Sequence, residues 1–426
     1  MQIPSLTPGR FLFSPELRDL CKKYQAKSLT DIHRSFANEG RLGLIIQKHR
    51  LIHYPAGQSL NGVVFAKANS PTLSTYIQDV VKGQEGHLFI VCLTKNQADH
   101  FHQIQSFEVD MSSKRLHDKD LHELVFARRV PEQSKVTTLC RVFTNQDKRV
   151  AYKAMFQRVF ERIEQLTGRP CQFGPIHNCG IWAVVVDMDW KQRDGFADYL
   201  SLIPPATLDS GTIALQMTVF CHIHFRRGID ELLQRQLQCG TTEDELQGVR
   251  TALYRIKDAK TLQLFYDIID TFLHEDCYGC FTEIANWLRH KKQVAVAYGL
   301  CHNLAYCPPS IKGSLVLNTN AVEQTHNKAN LTGKSLQLLP AIEKNMEFVI
   351  SIVKVVCYHL PKNGFRDINP GSQYGKEIQL PRTGMETLMF QQQVSLKRKN
   401  PVRVSRDQQL NFLKIRSKKK NFGQNT

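Results

Sequence analysis

The chain has 426 residues with an ordinary 42% apolar content, which allows two or three domains and a sizeable core. Its charge is unusual: 56 Lys and Arg against 39 Asp and Glu leave +17, which suggests a polyanionic partner, nucleic acid first. The opening MQIPSLTPGR lacks the pattern of a secretory signal, and no apolar run reaches the ~18 residues of a membrane span, so neither export nor a membrane partner is expected.

Residues 1–100 read as a mainly helical flank, with helices over Ser28–Gly40 and Leu42–His49. His87–Leu93 is a short apolar run, and Asn96–Gln105 is polar enough to be helix or loop. The texture changes near Ile104. Ile104–Ser112, Glu123–Val130 and Val136–Phe143 read as three strands with short connections, hence an antiparallel meander. From Gln146 to Gly168, apolar residues fall at Val150, Tyr152, Met155, Phe156, Val159, Phe160 and Ile163, the stripe of an amphipathic helix. Gly180–Asp189 (GIWAVVVDMD) reads as a buried central strand with carboxylates at its end. A helix over Trp190–Leu202 and a short strand over Thr212–Thr218 follow.

Beyond these, Asp230–Gln238, Glu243–Ile256, Lys260–Leu273 and Phe281–Lys292 all carry helical periodicity. The apolar stretches Val294–Leu304 and Phe348–Tyr358 read as buried helices, the second within a long last helix over Ser335–Val356. Ser395–Thr426 is a basic tail containing Lys397-Arg398-Lys399 and Lys418-Lys419-Lys420, either a nuclear-localisation signal or a phosphate-binding arm. The twelve cysteines are expected as reduced thiols. Cys277 and Cys280 have metal-ligand spacing that Cys301, His302 and Cys307 could complete, but ordinary buried cysteines are the favoured reading.

Two carboxylates converge if the strands ending at Asp110 and Asp187 are neighbours, and such a pair calls for a cation. Hard ions such as Mg²⁺ favour oxygen ligands of this kind. Asp189, two residues on, competes with Asp187 but better suits the N-cap of the following helix.

The segments Phe107-Glu-Val-Asp110, Glu123-Leu-Val-Phe-Ala127, Val184-Val-Val-Asp-Met-Asp189, Cys221-His-Ile-His224 and Asn318-Thr-Asn-Ala-Val-Glu-Gln-Thr-His326 occur in that order. Together they resemble the catalytic domain of a eukaryotic subgroup of Mutator-like element transposases, over Gln103–Val356. The resemblance implies an α/β fold: an RNase H-like mixed sheet with flanking helices and a large all-helical insertion. It divides the chain into the flank 1–100, a first core part 101–224, an insertion 225–317, C-terminal core helices 318–358, and a linker and basic tail 359–426. It implies Asp110, Asp187 and Glu323 as a catalytic triad holding two Mg²⁺ (or Mn²⁺) ions, with the 136 residues between Asp187 and Glu323 (323 − 187) accommodating the insertion.

Cys221, His224 and His326 are then site-supporting residues; without a second pair, Cys221 and His224 are not read as zinc ligands. Arg226, Arg227, Trp287, Arg289, Lys291 and Lys292 are candidate DNA contacts, with the basic tail. The expected activity is DNA cleavage and strand transfer at transposon terminal inverted repeats, in the nucleus, by a homo-oligomer. The chain departs from the family in showing no N-terminal zinc-binding recognition domain and in reading Met111-Ser112-Ser113 after the first Asp. Two alternatives stay open: a domesticated DNA-binding regulator without cleavage activity, and another RNase H-like nuclease.

Overall fold

A computed structural model of the protein describes residues 6–358, apart from 84–85, 131–134, 206, 239–241, 275–281 and 332. Seven strands form one mixed sheet: β1 (Ile77–Lys82), β2 (Leu88–Cys92), β3 (Ser106–Ser112), β4 (His122–Val130), β5 (Lys135–Thr144), β6 (Ala183–Val186) and β7 (Thr218–Phe220). Their order across the sheet is β1-β2-β5-β4-β3-β6-β7. The expected meander is β3-β4-β5, antiparallel throughout. On its β5 side, β2 and then β1 add antiparallel. On its β3 side, β6 and then β7 add parallel.

Side chains alternate between the faces of a strand, and the sheet uses this to bury both. Phe107 and Val109 of β3, Phe126 of β4, and Val184 and Val186 of β6 point to one face. There they meet Phe101, Phe156, Phe160 and Phe196 on helices Lys95–Phe101, Arg149–Thr167 and Trp190–Leu200. On the opposite face, Val125 and Ala127 meet Ala321 and Val322 of helix Asn320–Leu331. Beside them, Ala183, Val185 and Val219 meet Cys307 and Ile311. Ile90, Cys92 and Phe143 meet Leu339 and Ile342 of helix Leu338–Tyr358. The result is a three-layer α/β arrangement. The described residues of 222–304 are predominantly helical, and their segments close around a cluster that includes Phe225, Leu233, Leu253, Phe265, Ile269 and Leu288. The chain through Cys357 forms one compact unit. No helix among the described residues is long and apolar enough to cross a membrane.

Local chemistry sets several boundaries. Helix Arg149–Thr167 buries the expected stripe from Tyr152 to Ile163 and ends at Gly168, whose φ of 78° is the left-handed conformation glycine adopts without strain. Val150, one residue into this helix, is 69% exposed and does not join the stripe.

The expected strand over Thr212–Thr218 is instead helix Ser210–Met217, followed by β7 from Thr218. Asp209 caps this helix by accepting the Thr212 N–H at 3.0 Å, and Ile213, Ala214 and Met217 fall on one buried face. The first hundred residues also contribute β1 and β2, which the sequence reading did not place. All five residues of β2 are buried because β1 and β5 flank it and helices cover both faces. Such a strand is a continuous apolar run without the alternation that marks a strand in sequence.

Helices Trp190–Leu200 and Arg149–Thr167 cross closely at Gly195. A Cβ there would lie 2.6 Å from both Arg149 O and Tyr152 Cβ. Gly195→Ala is therefore expected to destabilise the fold by about 1–3 kcal/mol, despite alanine's better helix propensity, as read from urea unfolding midpoints.

Candidate functional site

Strands β3 and β6 run parallel with Phe107 opposite Val184 and Glu108 opposite Val185. Two residues further along each strand direction stand Asp110 and Asp187, level at the C-terminal ends. Alternation puts both on the face covered by helix Asn320–Leu331, together with Glu108.

Glu108 holds that helix in place. Its Oε2 accepts the N–H groups of Ala321 at 2.9 Å and Val322 at 3.3 Å, satisfying donors of the first turn. Burial pushes the Glu108 carboxyl up to about 8, against these two bonds. Glu323 follows in the same turn. Glu108→Ala would leave two buried N–H groups without an acceptor, so a loss of about 1–3 kcal/mol is expected in chemical unfolding, with Glu108→Gln milder because its amide oxygen can still accept.

Asp110 is pushed up to about 7, first by burial and then by the neighbouring Asp187 carboxylate, with Glu323 adding to the effect. The Met111 N–H, bonded to Asp110 Oδ1 at 2.7 Å, and His224 act in the opposite direction. His224 lies between the acids: its Nδ1 is 2.7 Å from Asp187 Oδ1 and its Nε2 is 3.8 Å from Glu323 Oε1. The contact with Asp187 is an ion pair to a buried carboxylate oxygen. Asp187 and Cys221 together push His224 up to about 10 against the effect of its burial. Arg227 donates to Glu323 Oε1 at 2.6 Å and to Oε2 at 3.4 Å.

Asp189 accepts the Lys191 N–H at 2.9 Å and caps helix Trp190–Leu200. Beside these residues lies an open cleft of about 270 Å³, lined by Asp110, Asp187, Asp189, Asp147, Tyr152 and Gln192 among others. The three expected triad members are thus brought near one another, but Glu323 is engaged by Arg227. Among the described residues, the set whose metal-ligating atoms all lie within 4.8 Å of one another is Asp187, Cys221 and His224, not the three carboxylates.

The other expected site residues divide. His326 is buried behind the site; burial holds it down to about 4, with Glu123 and the Asp110 backbone nearby. Arg227, expected to meet phosphate, is tied to Glu323, and it stands with Arg226 on helix His222–Gln238. Arg226 lies exposed over the Tyr254 ring at 5.4 Å. Trp287 packs on Phe225 at 5.6 Å at the edge of the helical core, with Lys291 5.6 Å over its ring. Arg289 is exposed, and Lys292 pairs with Asp270 at 2.5 Å.

Lys397, Arg398, Lys399, Lys418, Lys419 and Lys420 lie outside the described residues, as do Cys277 and Cys280. Cys301 donates to Ile256 O at 3.3 Å inside the helical core, while Cys307 is buried in a different cluster against the sheet, so these two thiols do not face a common ligand site. Glu108 and Arg227 are the contributors whose roles the sequence reading missed. Alternation along Phe107-Glu-Val-Asp110 carries the first signal, since Glu108 must share a face with Asp110.

Comparisons with protein-family models and with curated proteins find no match to this chain.

Proposed function

We propose that the protein is a metal-dependent DNA nuclease and strand transferase of the Asp-Asp-Glu type, built on an RNase H-like core. It would act in the nucleus, as a homo-oligomer, on transposon ends and target DNA. The observation that carries this reading is the level placement of Asp110 and Asp187 at the ends of adjacent parallel strands, facing the helix that bears Glu323. The order β3, β4, β5, helix Arg149–Thr167, β6, helices Trp190–Leu200 and Ser210–Met217, β7 supports the core assignment. The +17 charge suits a polyanionic substrate.

The donor set fits hard divalent cations. Asp110 and Asp187 offer oxygen only, and Asp110 is raised first by burial and then by the neighbouring Asp187 carboxylate. When bound, two Mg²⁺ or Mn²⁺ ions would polarise the phosphodiester and activate the attacking hydroxyl. Asp110 and Asp187 would hold them from the sheet. Glu323 would do so from helix Asn320–Leu331, once released from Arg227. Glu108 fixes the start of that helix, and Arg227, freed from Glu323, is placed to meet a phosphate oxygen.

The pairing of Glu323 with Arg227 also favours a second reading, a domesticated DNA-binding regulator in which the acid is permanently engaged. A cleavage assay on labelled duplex DNA carrying terminal inverted repeats, with Mg²⁺ or Mn²⁺, separates the two. Metal-dependent nicking that disappears in Glu323→Gln supports the nuclease; binding without nicking in either protein supports the regulator.

A further inference from the structure

We infer that Asp187, Cys221 and His224 form a binding site for one thiophilic divalent cation, Zn²⁺ or an ion of similar chemistry. The inference stands on the geometry of these side chains and does not require the nuclease reading.

The three residues reach one point from consecutive pieces of the fold. Asp187 follows β6, and Cys221 follows β7, the strand paired with it. The Cys221 N–H donates to Val186 O at 2.9 Å, which locks the two strand ends together. Helix His222–Gln238 then starts at once and carries His224 in its first turn. One ligand atom from each residue lies within 4.8 Å of the others. A Zn²⁺ ion binds thiolate at about 2.3 Å and imidazole or carboxylate at about 2.0–2.2 Å, so ligand atoms this close need to move little to share it.

Three features favour a cation over a simple hydrogen-bonded cluster. The Cys221 sulfur is fully buried, yet it accepts from both the N–H and the hydroxyl of Thr319 at 3.3 Å. Two donors on one sulfur suit a thiolate. Asp187 Oδ1 is buried and stands 2.7 Å from His224 Nδ1, so two atoms able to ligate a cation face one another. His224 directs Nδ1 to Asp187 and to the Thr319 hydroxyl, and Nε2 to Glu323 and Arg227. A cysteine nucleophile would need an accessible sulfur, which burial denies here.

The donor types decide which ion is held. A thiolate and an imidazole select Zn²⁺, Co²⁺ and related ions over Mg²⁺, and three protein ligands leave a fourth position for water. A carboxylate has two oxygens, so engagement of Oδ1 leaves the other for the cleft. The bound ion would fix Asp187 in orientation from behind.

The test is a Co²⁺ titration of the full-length protein, followed by the thiolate-to-cobalt charge-transfer band and the visible bands of four-coordinate cobalt. One equivalent should saturate both, Zn²⁺ should abolish them, and excess Mg²⁺ should leave them intact. Cys221→Ser should lose the charge-transfer band, and His224→Gln should weaken Co²⁺ binding at least tenfold, with unfolding midpoints of the metal-free proteins as the folding control. If Cys221→Ser fails to fold, His224→Gln alone decides. Absence of the band, its displacement by Mg²⁺, or its survival in Cys221→Ser with loss in Cys277→Ser overturns the inference. Cleavage assayed separately in Mg²⁺ keeps the two readings apart: a cobalt band without any nuclease activity removes the nuclease and leaves this site standing.

Discussion

Under the proposed nuclease reading, Asp110→Asn is expected to lower metal-dependent strand cleavage about a thousandfold, the equivalent of roughly 4 kcal/mol of transition-state stabilisation by bound ions. The same substitution is expected to leave the metal-free protein at least as stable as the parent. Both expectations come from one arrangement. Asp110 is packed against a sheet end beside Asp187, with Glu323 facing them, and its carboxylate is disfavoured first by burial and then by those like charges. An uncharged amide of nearly the same shape relieves the repulsion. It also removes an anionic oxygen donor, which hard cations require. Measuring cleavage in Mg²⁺ alongside the urea midpoint in a chelator separates the effects. An activity loss accompanied by a large stability loss would mean that Asp110 acts as a structural residue, and unchanged activity would remove it from the proposed mechanism.

Glu123→Gln is expected to cost about 3–5 kcal/mol, the usual penalty for leaving a buried charge without its partner. Glu123 accepts from Arg141 at 2.6 Å, from Arg115 at 3.2 Å and from the Asn345 amide at 2.8 Å, and all four side chains are buried. This cluster ties helix Leu338–Tyr358 to β4 and β5. Burial alone would raise the Glu123 carboxyl, but Arg141 and Arg115 outweigh it and hold it at about 2. The unfolded value is about 4.3.

A depressed carboxylate contributes stability above its unfolded value and loses it as pH falls through the folded value. Stability should therefore decline from about pH 4.3 toward pH 2 in the parent, and the Glu123→Gln variant should lack that part of the slope. Glu123 Oε2 and Arg141 Nε have no hydrogen-bond partners, so the cluster is incompletely satisfied. Replacing Arg115, Glu123 and Arg141 together by Met or Leu should cost much less than Glu123→Gln alone. A triple variant as unstable as the single one would contradict this account.

The sequence by itself determined the elements whose signal is local. The meander around Asp110, the helix from Arg149 and the strand of Val184–Val186 each carry their own periodicity. The N-cap role of Asp189 was legible from the acid preceding Trp190. The segment Ser210–Met217 was misread as a strand although Ile213, Ala214 and Met217 share a face only at helical spacing, and the Asp209 cap starts that helix. Strand β2 depended on pairing with β5, distant in the chain.

At the site, motif order brought Asp110, Asp187 and Glu323 into consideration, but spacing could not tell which donors come closest. That followed from the pairing of β6 with β7, which carries Cys221 and His224 to Asp187. It also followed from the register of helix Asn320–Leu331 over Glu108, which leaves Glu323 within reach of Arg227. Periodicity reports which way a side chain faces along its own element. Distances between side chains from different elements are set by packing and register, and only the tertiary structure decides them.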